Sequence, residues 1–294
     1  MRTTSLLDAD RREVTTIGDL LTPSAVRRLL ATHGLAPRKA AGQNFVVDAN
    51  TVRRIVAAAE IDADDTVLEI GPGLGSLTLG LAEVARRVVA VEIDAGMVRA
   101  LAETVGDLPN VEVVHADALA VTPSQLVAGH PARLVANLPY NVATPLMMHA
   151  LLDEAVRDVF VMVQREVGER WCAPPGHPLR AAVSVKVDLL ADAKVVLKIP
   201  RTVFHPVPNV DSVMVRLRRR ADAPTATRDE LFAFVEAAFR QRRKTLRNNL
   251  RDRTDPDALE RAAEAAGIDL QVRAEAVPTD RLVALARELG VVAG

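Results

Sequence analysis

Residues 66–76 read Thr66-Val67-Leu68-Glu69-Ile70-Gly71-Pro72-Gly73-Leu74-Gly75-Ser76. The first five residues read as a sheet strand. Three glycines follow at alternate positions, and Ser76 opens a helix expected to run to about residue 85. Strand, glycine loop and helix together make the nucleotide-binding turn of a doubly wound α/β fold. The glycines let backbone approach a ligand closely. The spacing is GxGxG rather than the GxGxxG of dinucleotide binders, which speaks against a nicotinamide cofactor.

The alternation continues on the C-terminal side. A strand over 87–91 ends at Glu92, about 20 residues beyond the glycines, where such folds accept a ribose hydroxyl. A strand over 111–115 leads to Asp117, whose carboxylate can accept from an adenine amino group or cap the short turn at 121–127. His115 reads as structural. The apolar run 134–136 delivers Asn137, and a helix over 143–152 and a strand over 159–163 follow. In open parallel sheets ligands bind at the carboxyl ends of the strands, so these polar residues fall where a site is expected. The plain alternative is a doubly wound domain that binds no nucleoside.

Asn137-Leu138-Pro139-Tyr140 carries the chemistry. Asn137 offers an amide oxygen and Leu138 a carbonyl as acceptors. Pro139 removes a donor and stiffens the turn, and Tyr140 supplies a flat face. Two acceptors beside an aromatic plate suit a planar group bearing an exocyclic amine, such as adenine. A simple strand-end turn is the competing reading.

The 294 residues suffice for a large domain and a small one. Apolar residues make up 49% and aromatic residues 3%, so a sizeable core is available and each aromatic is informative. A single cysteine, Cys172, excludes an intrachain disulfide and a cysteine-based zinc site and fits the cytoplasm. No run approaches the ~18 apolar residues of a membrane span. Residues 1–22 read as a loosely ordered arm or as an artefact of start-site choice, with Asp8, Asp10 and Glu13 arguing against a transit peptide. Thr22-Pro23 opens a helix over 24–33 that Gly34 ends. The loop 38–45 joins basic, amide and aromatic groups, and Asp48 starts a helix to Glu60 with Val52, Ile55, Val56 and Ala59 on one face.

The net charge of −1 hides an asymmetry. Residues 216–253 hold 12 Lys/Arg against 5 Asp/Glu, so the rest of the chain is acidic. Residues 222–227 read as a linker. A helix over 230–251 is expected to place Arg240, Arg243, Lys244, Arg247 and Arg251 on one basic face, suited to phosphates or else simply solvated. Helices over 257–266 and 280–289 complete a small helical domain. The expected domains are therefore an arm at 1–22, a catalytic domain at 23–220 and a helical RNA-binding domain at 221–294.

The set Gly42-Gln43-Asn44-Phe45, Glu69-Ile70-Gly71-Pro72-Gly73-Leu74-Gly75, Glu92, Asp117 and Asn137-Leu138-Pro139-Tyr140-Asn141 resembles the KsgA (RsmA) family of ribosomal RNA adenine dimethyltransferases. Val203-Phe204-His205-Pro206-Val207-Pro208-Asn209-Val210-Asp211-Ser212 and Arg240-Gln241-Arg242-Arg243-Lys244-Thr245-Leu246-Arg247 add to the likeness, in family order. The resemblance implies a Rossmann-like class I methyltransferase sheet with a small C-terminal helical domain. It implies transfer of methyl groups from S-adenosylmethionine to N6 of two adjacent adenines near the 3′ end of small-subunit (16S) rRNA, during ribosome biogenesis. The implied partner is that rRNA in a precursor 30S particle, met by a cytoplasmic monomer without metal or membrane.

Position by position, the resemblance implies cofactor contacts at Asn44, Val46, Gly71, Gly73, Glu92, Asp117 and Asn137. It implies a target-adenine site at Asn137, Leu138, Pro139, Tyr140 and Phe204. Residues 180–183 read Arg-Ala-Ala-Val where the family commonly has a Tyr-Gly pair before Ser-Val, Asn209 replaces a usual lysine, and Val46 a common leucine. A sulfonium methyl is already electrophilic, so the chemistry asks for orientation of the amine rather than a metal or a covalent nucleophile. Tyr140 and Phe204 are expected to grip the base once it leaves its stack, Phe204 from a rigid exposed loop between prolines. Two rivals stand beside this reading: a resistance-type dimethylase of large-subunit rRNA, and an RNA-binding assembly or transcription factor without catalysis.

Overall fold

The computed structural model describes residues 21–37, 43–225 and 228–292. The expected arm at 1–22 lies almost wholly outside them, as do Gly42 and the end of the linker at 226–227. The chain divides into two compact units. The first takes residues up to Arg165 together with Val196–Arg216, and the second takes Glu166–Val195 and Leu217 onward.

In the first unit Thr22 caps α1 (Pro23–Thr32), and a two-residue strand β1 (Phe45–Val46) precedes α2 (Ala49–Ala59). Asp48 caps α2 by accepting from the backbone N–H groups of Asn50 and Thr51. The alternation then runs β2 (Thr66–Ile70), α3 (Ser76–Ala82), β3 (Arg87–Glu92), α4 (Ala95–Val105), β4 (Val111–His115), α5 (Pro123–Leu126), β5 (Ala132–Asn137), α6 (Ala143–Leu152) and β6 (Val156–Gln164). Strands β4, β3, β2, β5 and β6 lie side by side, all parallel, so their carboxyl ends share one edge. After α7 (Arg165–Trp171) and α8 (Ala182–Leu190), β7 (Ala191–Ile199), β8 (Phe204–His205) and β9 (Ser212–Arg219) follow, and β9 and β7 complete the seven-strand order β4-β3-β2-β5-β6-β9-β7.

The core of this unit sits between β2, β3, β5 and helices α2 and α3, with Ile55, Val67, Leu81, Val88 and Val135 all buried. Beneath it two guanidinium groups close the end of α2. Arg133 on β5 donates to the carbonyls of Ala59 at 2.7 Å and Glu60 at 2.5 Å, and pairs with Asp158 at 2.7 Å and Asp65 at 3.0 Å. Arg216 on β9, fully buried against the Phe160 ring, donates to the Ala58 carbonyl and pairs with Glu60. Cations suit a helix C-terminus, where unpaired carbonyls concentrate negative charge.

The second unit is helical: α8 packs with α9 (Arg228–Ala238), α10 (Leu246–Leu250), α11 (Pro256–Ala266) and α12 (Thr279–Glu288) around Val185, Leu231, Val235, Leu250, Leu259 and Leu285. It begins before the linker that marks the expected boundary, because the apolar face of α8 belongs to this core.

The helix expected over 230–251 is broken. α9 stops at Ala238 and α10 starts at Leu246. The buried amide of Asn249 donates to the Ala238 carbonyl at 2.6 Å and accepts from the Gln241 N–H at 3.2 Å, replacing the bonds that a continuous helix would make. The Thr245 hydroxyl then caps the new helix.

Candidate active site

The glycine loop is shaped by positive φ. Gly71 and Gly73 have φ of +70° and +59°, a region that disfavours side chains. A Cβ on Gly73 would also stand 2.8 Å from the Phe45 ring. The loop is tied to the next strand end, for the Gly73 N–H donates to the Glu92 carboxylate at 3.3 Å, and the Asp94 N–H donates to its other oxygen at 3.0 Å. Burial pushes the Glu92 carboxyl above its ordinary range, and these N–H donors act against that. Asp117, after β4, accepts from the Leu119 N–H at 2.9 Å.

On β5 the Asn137 amide nitrogen donates to the Asn44 carbonyl at 2.9 Å. That bond settles which end of the amide faces which way. One of the two N–H groups on the nitrogen is used, and the oxygen has no donor among the described residues. The Leu138 carbonyl likewise receives none of them, while the Leu138 N–H is used by the Met162 carbonyl. Both acceptors expected from the tetrapeptide are thus available for a ligand. Pro139 lies against Gly71, whose Cβ would meet the proline ring at 3.4 Å. The Tyr140 hydroxyl bonds the Ser212 hydroxyl at 2.7 Å, and desolvation raises its pKa above the ordinary value.

These elements enclose a cavity of about 320 Å³, within the range of small-ligand sites. Asn44, Val46, Gly71, Gly73, Glu92, Asp117, Asn137 and Pro139 line it; Leu138, Tyr140 and Phe204 do not. Ile93 and Leu119 contribute exposed apolar side chains to its lining. Two of its features had no role assigned from the sequence. One is this apolar pair. The other is Glu69, a carboxyl 1% exposed on β2, detectable only as a charge inside an otherwise apolar strand.

Phe204 requires a correction. Its ring is 2% exposed and belongs to the core, not to an exposed loop. The reason is the short antiparallel pairing of β8 with β1, which sets Phe204 opposite Val46 and turns the ring inward. The exposed apolar groups of that loop are Val207 and Val210.

The basic face requires another. Arg240 pairs with Asp252 at 3.2 Å, Arg251 with Asp252 at 3.3 Å, and Arg247 with Glu260. Arg243 and Lys244, both exposed in the 239–245 turn, have no ion-pair partner among the described residues. The five cations do not form one helical face.

The family described as ribosomal RNA adenine dimethylase matches residues 34–290. The chain belongs to that family. It is therefore a methyltransferase acting on adenine in ribosomal RNA, built on a Rossmann-like sheet. It is 50% identical over 277 residues to the ribosomal RNA small subunit methyltransferase A of Streptomyces griseus, covering 91% of this chain and 94% of that protein. The protein of the same name from Thermobifida fusca is 51% identical over 264 residues, covering 87% and 91%. Among solved structures, the 23S rRNA methyltransferase ErmE superposes with a TM-score of 0.67 at 29% identity, covering 84% of this chain and 99% of that one. A dimethyladenosine transferase from Plasmodium falciparum gives a TM-score of 0.71 at 23% identity, covering 83% and 96%, a likeness of fold.

Proposed function

We propose that this dimethylase transfers methyl groups from S-adenosylmethionine to N6 of two adjacent adenosines near the 3′ end of small-subunit rRNA, in a precursor of the 30S particle. The observation that carries it is the Asn137 amide, whose nitrogen is held by Asn44 so that its oxygen and the Leu138 carbonyl are left as two acceptors. The small-subunit relatives, at 50% identity and above, favour this substrate over the large-subunit rRNA named for the 29% identical neighbour. A catalytically idle RNA-binding factor has no use for such acceptors beside a carboxyl-lined cavity.

The donor set fits the cofactor. S-adenosylmethionine is a net cation with an apolar-faced adenine, and among the described residues the cavity offers carboxyls, no cationic side chain, and the exposed Ile93 and Leu119. Glu92 would hold the ribose hydroxyls, Asp117 the adenine amine, and Asn44, Val46, Gly71 and Gly73 the remainder. When bound, the cofactor supplies a methyl group already electrophilic on its sulfonium. Asn137 Oδ1 and the Leu138 carbonyl accept the N6 hydrogens of the target adenine and orient its amine, concentrating the nitrogen lone pair on the methyl side. Tyr140, fixed by Ser212, presents its ring to the base.

Arg243 and Lys244 in the helical unit would take rRNA phosphates without reading sequence. The place of work would be the cytoplasm, where the precursor particle is, and the chain would act as a monomer. Among the described residues no helix is long and apolar enough to cross a membrane, and no group of three or more His, Cys, Asp or Glu is placed to hold a metal. Mass analysis of nucleosides from unmethylated small-subunit particles after reaction should find dimethyladenosine at two adjacent 3′ positions. Label entering only large-subunit rRNA would overturn the reading.

A further inference from the structure

Among the described residues the cavity is charged in one direction only. Its titratable lining there is Glu69 on β2, Glu92 at the end of β3 and Asp117 after β4, with no lysine, arginine or histidine. The other polar side chains lining it are neutral: Ser76 on α3, Asn137 on β5, and Gln43, Asn44 and Asn141 on loops. Asp94, beyond Glu92, is used to cap α4. Glu69 differs from the other two acids. Glu92 and Asp117 hold backbone N–H donors, whereas Glu69 is buried with its Oε2 atom unpaired. An unpaired buried carboxylate is costly, so the group stays protonated until a cation arrives. Burial pushes Glu69 up to about 8, with the Thr78 hydroxyl on α3 acting against it and the nearby Glu92 charge adding to it.

We propose that Glu69 is the charge-discriminating group of the cofactor site: it ionises as the cationic cofactor binds, releases its proton to solvent, and stays protonated when the neutral product occupies the cavity. The inference rests on the S-adenosylmethionine reading above. Its physical basis is the charge lost in the reaction. S-adenosylmethionine carries a net +1 and S-adenosylhomocysteine a net zero, because loss of the methyl turns a sulfonium into a thioether. In a site of low polarity that one charge is felt strongly by a neighbouring carboxyl. Ionised Glu69 holds the cofactor. Once the sulfonium charge is gone, Glu69 takes a proton back from solvent, and the protonated carboxyl has no such attraction for the product, so methyl transfer itself weakens retention of what must leave.

Calorimetry of the whole protein with S-adenosylmethionine and with S-adenosylhomocysteine, each in buffers of different ionisation enthalpy at pH 7, counts the protons exchanged. The cofactor should release most of one proton and the product clearly less. The cofactor-to-product affinity ratio should rise several-fold per unit between about pH 6 and pH 8. In Glu69→Gln the release should vanish and the ratio should become flat. Equal release with both ligands, no release with the cofactor, or release that persists in Glu69→Gln overturns the proposal. If the variant does not fold, carboxyl-labelled glutamate NMR of the wild-type protein decides instead. One glutamate should titrate near neutrality when free and stay ionised with S-adenosylmethionine, and the absence of such a signal overturns the proposal. Failure of either ligand to bind overturns the cofactor reading as well, an outcome separate from binding without proton release.

Discussion

Asn137 and Asn44 stand 93 positions apart in the chain, yet the amide nitrogen of the first lies 2.9 Å from the carbonyl oxygen of the second. The bond makes the loop before β1 responsible for the aim of a group on β5. Asn137→Ala should therefore lower single-turnover rate by about 100-fold or more, the scale of losing one preorganised polar contact. RNA affinity should change little. Near-wild-type turnover at saturating cofactor would refute the role.

Glu92 is held by two backbone N–H groups and faces the cavity. Glu92→Ala should weaken S-adenosylmethionine binding by roughly 1.5–3 kcal/mol, the value of a charge-assisted hydrogen bond. Calorimetry on a variant with an unchanged circular dichroism spectrum checks it, and unaltered affinity would remove Glu92 from the site.

The two classes of cation in the helical unit should separate cleanly. Arg243→Ala with Lys244→Ala should flatten the dependence of log K on log salt for precursor-particle binding by about two units, with the melting temperature nearly unchanged. Arg240→Ala with Arg247→Ala removes side chains already paired with Asp252 and Glu260. That pair should leave most of the salt slope in place and cost less than about 1 kcal/mol each in stability, as exposed ion pairs do. A salt slope lost only with Arg240 and Arg247 would reverse this assignment.

Ligand-free stability should depend on pH through Glu69. In the folded protein this carboxyl keeps its proton up to about pH 8, against 4.5 for an ordinary glutamate. The folded state then binds more protons than the unfolded one over that interval, so stability falls as pH rises through it and is highest at its acid end. The melting temperature should drop between about pH 6 and pH 8.5, and Glu69→Gln should reduce that drop. An identical pH profile in the variant would remove Glu69 as its source.

Arg133 joins β5 to the end of α2 through four partners, one of them the buried Asp158. Arg133→Met leaves Asp158 without its cation and should cost about 3–5 kcal/mol by denaturant unfolding. A loss below about 1 kcal/mol would show that the network relaxes around the substitution.

The five parallel strands were legible because each is a short, largely apolar run followed by a turn signal, and the residues at their ends, Gly71, Glu92, Asp117 and Asn137, fall on one edge by topology alone; β7 and β9 were not, because charged residues interrupt both runs. What escaped depends on contacts between distant segments. Nothing local in Phe204-His205-Pro206 announces that the ring pairs inward through Val46. Nothing in the helical periodicity of residues 230–251 reveals Asn249 as a buried clamp, because a polar residue in such a run reads as solvated. Charge spacing alone equally hid that Asp252 and Glu260 return to Arg240 and Arg247. The domain boundary was drawn at a loop, whereas the helical core also recruits α8 from before it.

The capping of α2 has a consequence for synthesis. Its terminal carbonyls at Ala58 and Ala59 are completed by Arg216 and Arg133, the former 158 residues downstream. A ribosome translating this chain has exposed α2, β2 and most of the sheet before it polymerises the residue that closes them. The first unit thus cannot finish during the synthesis of its own N-terminal half. It must wait for the chain to pass into α7 and α8 and come back, so its completion is timed late in translation.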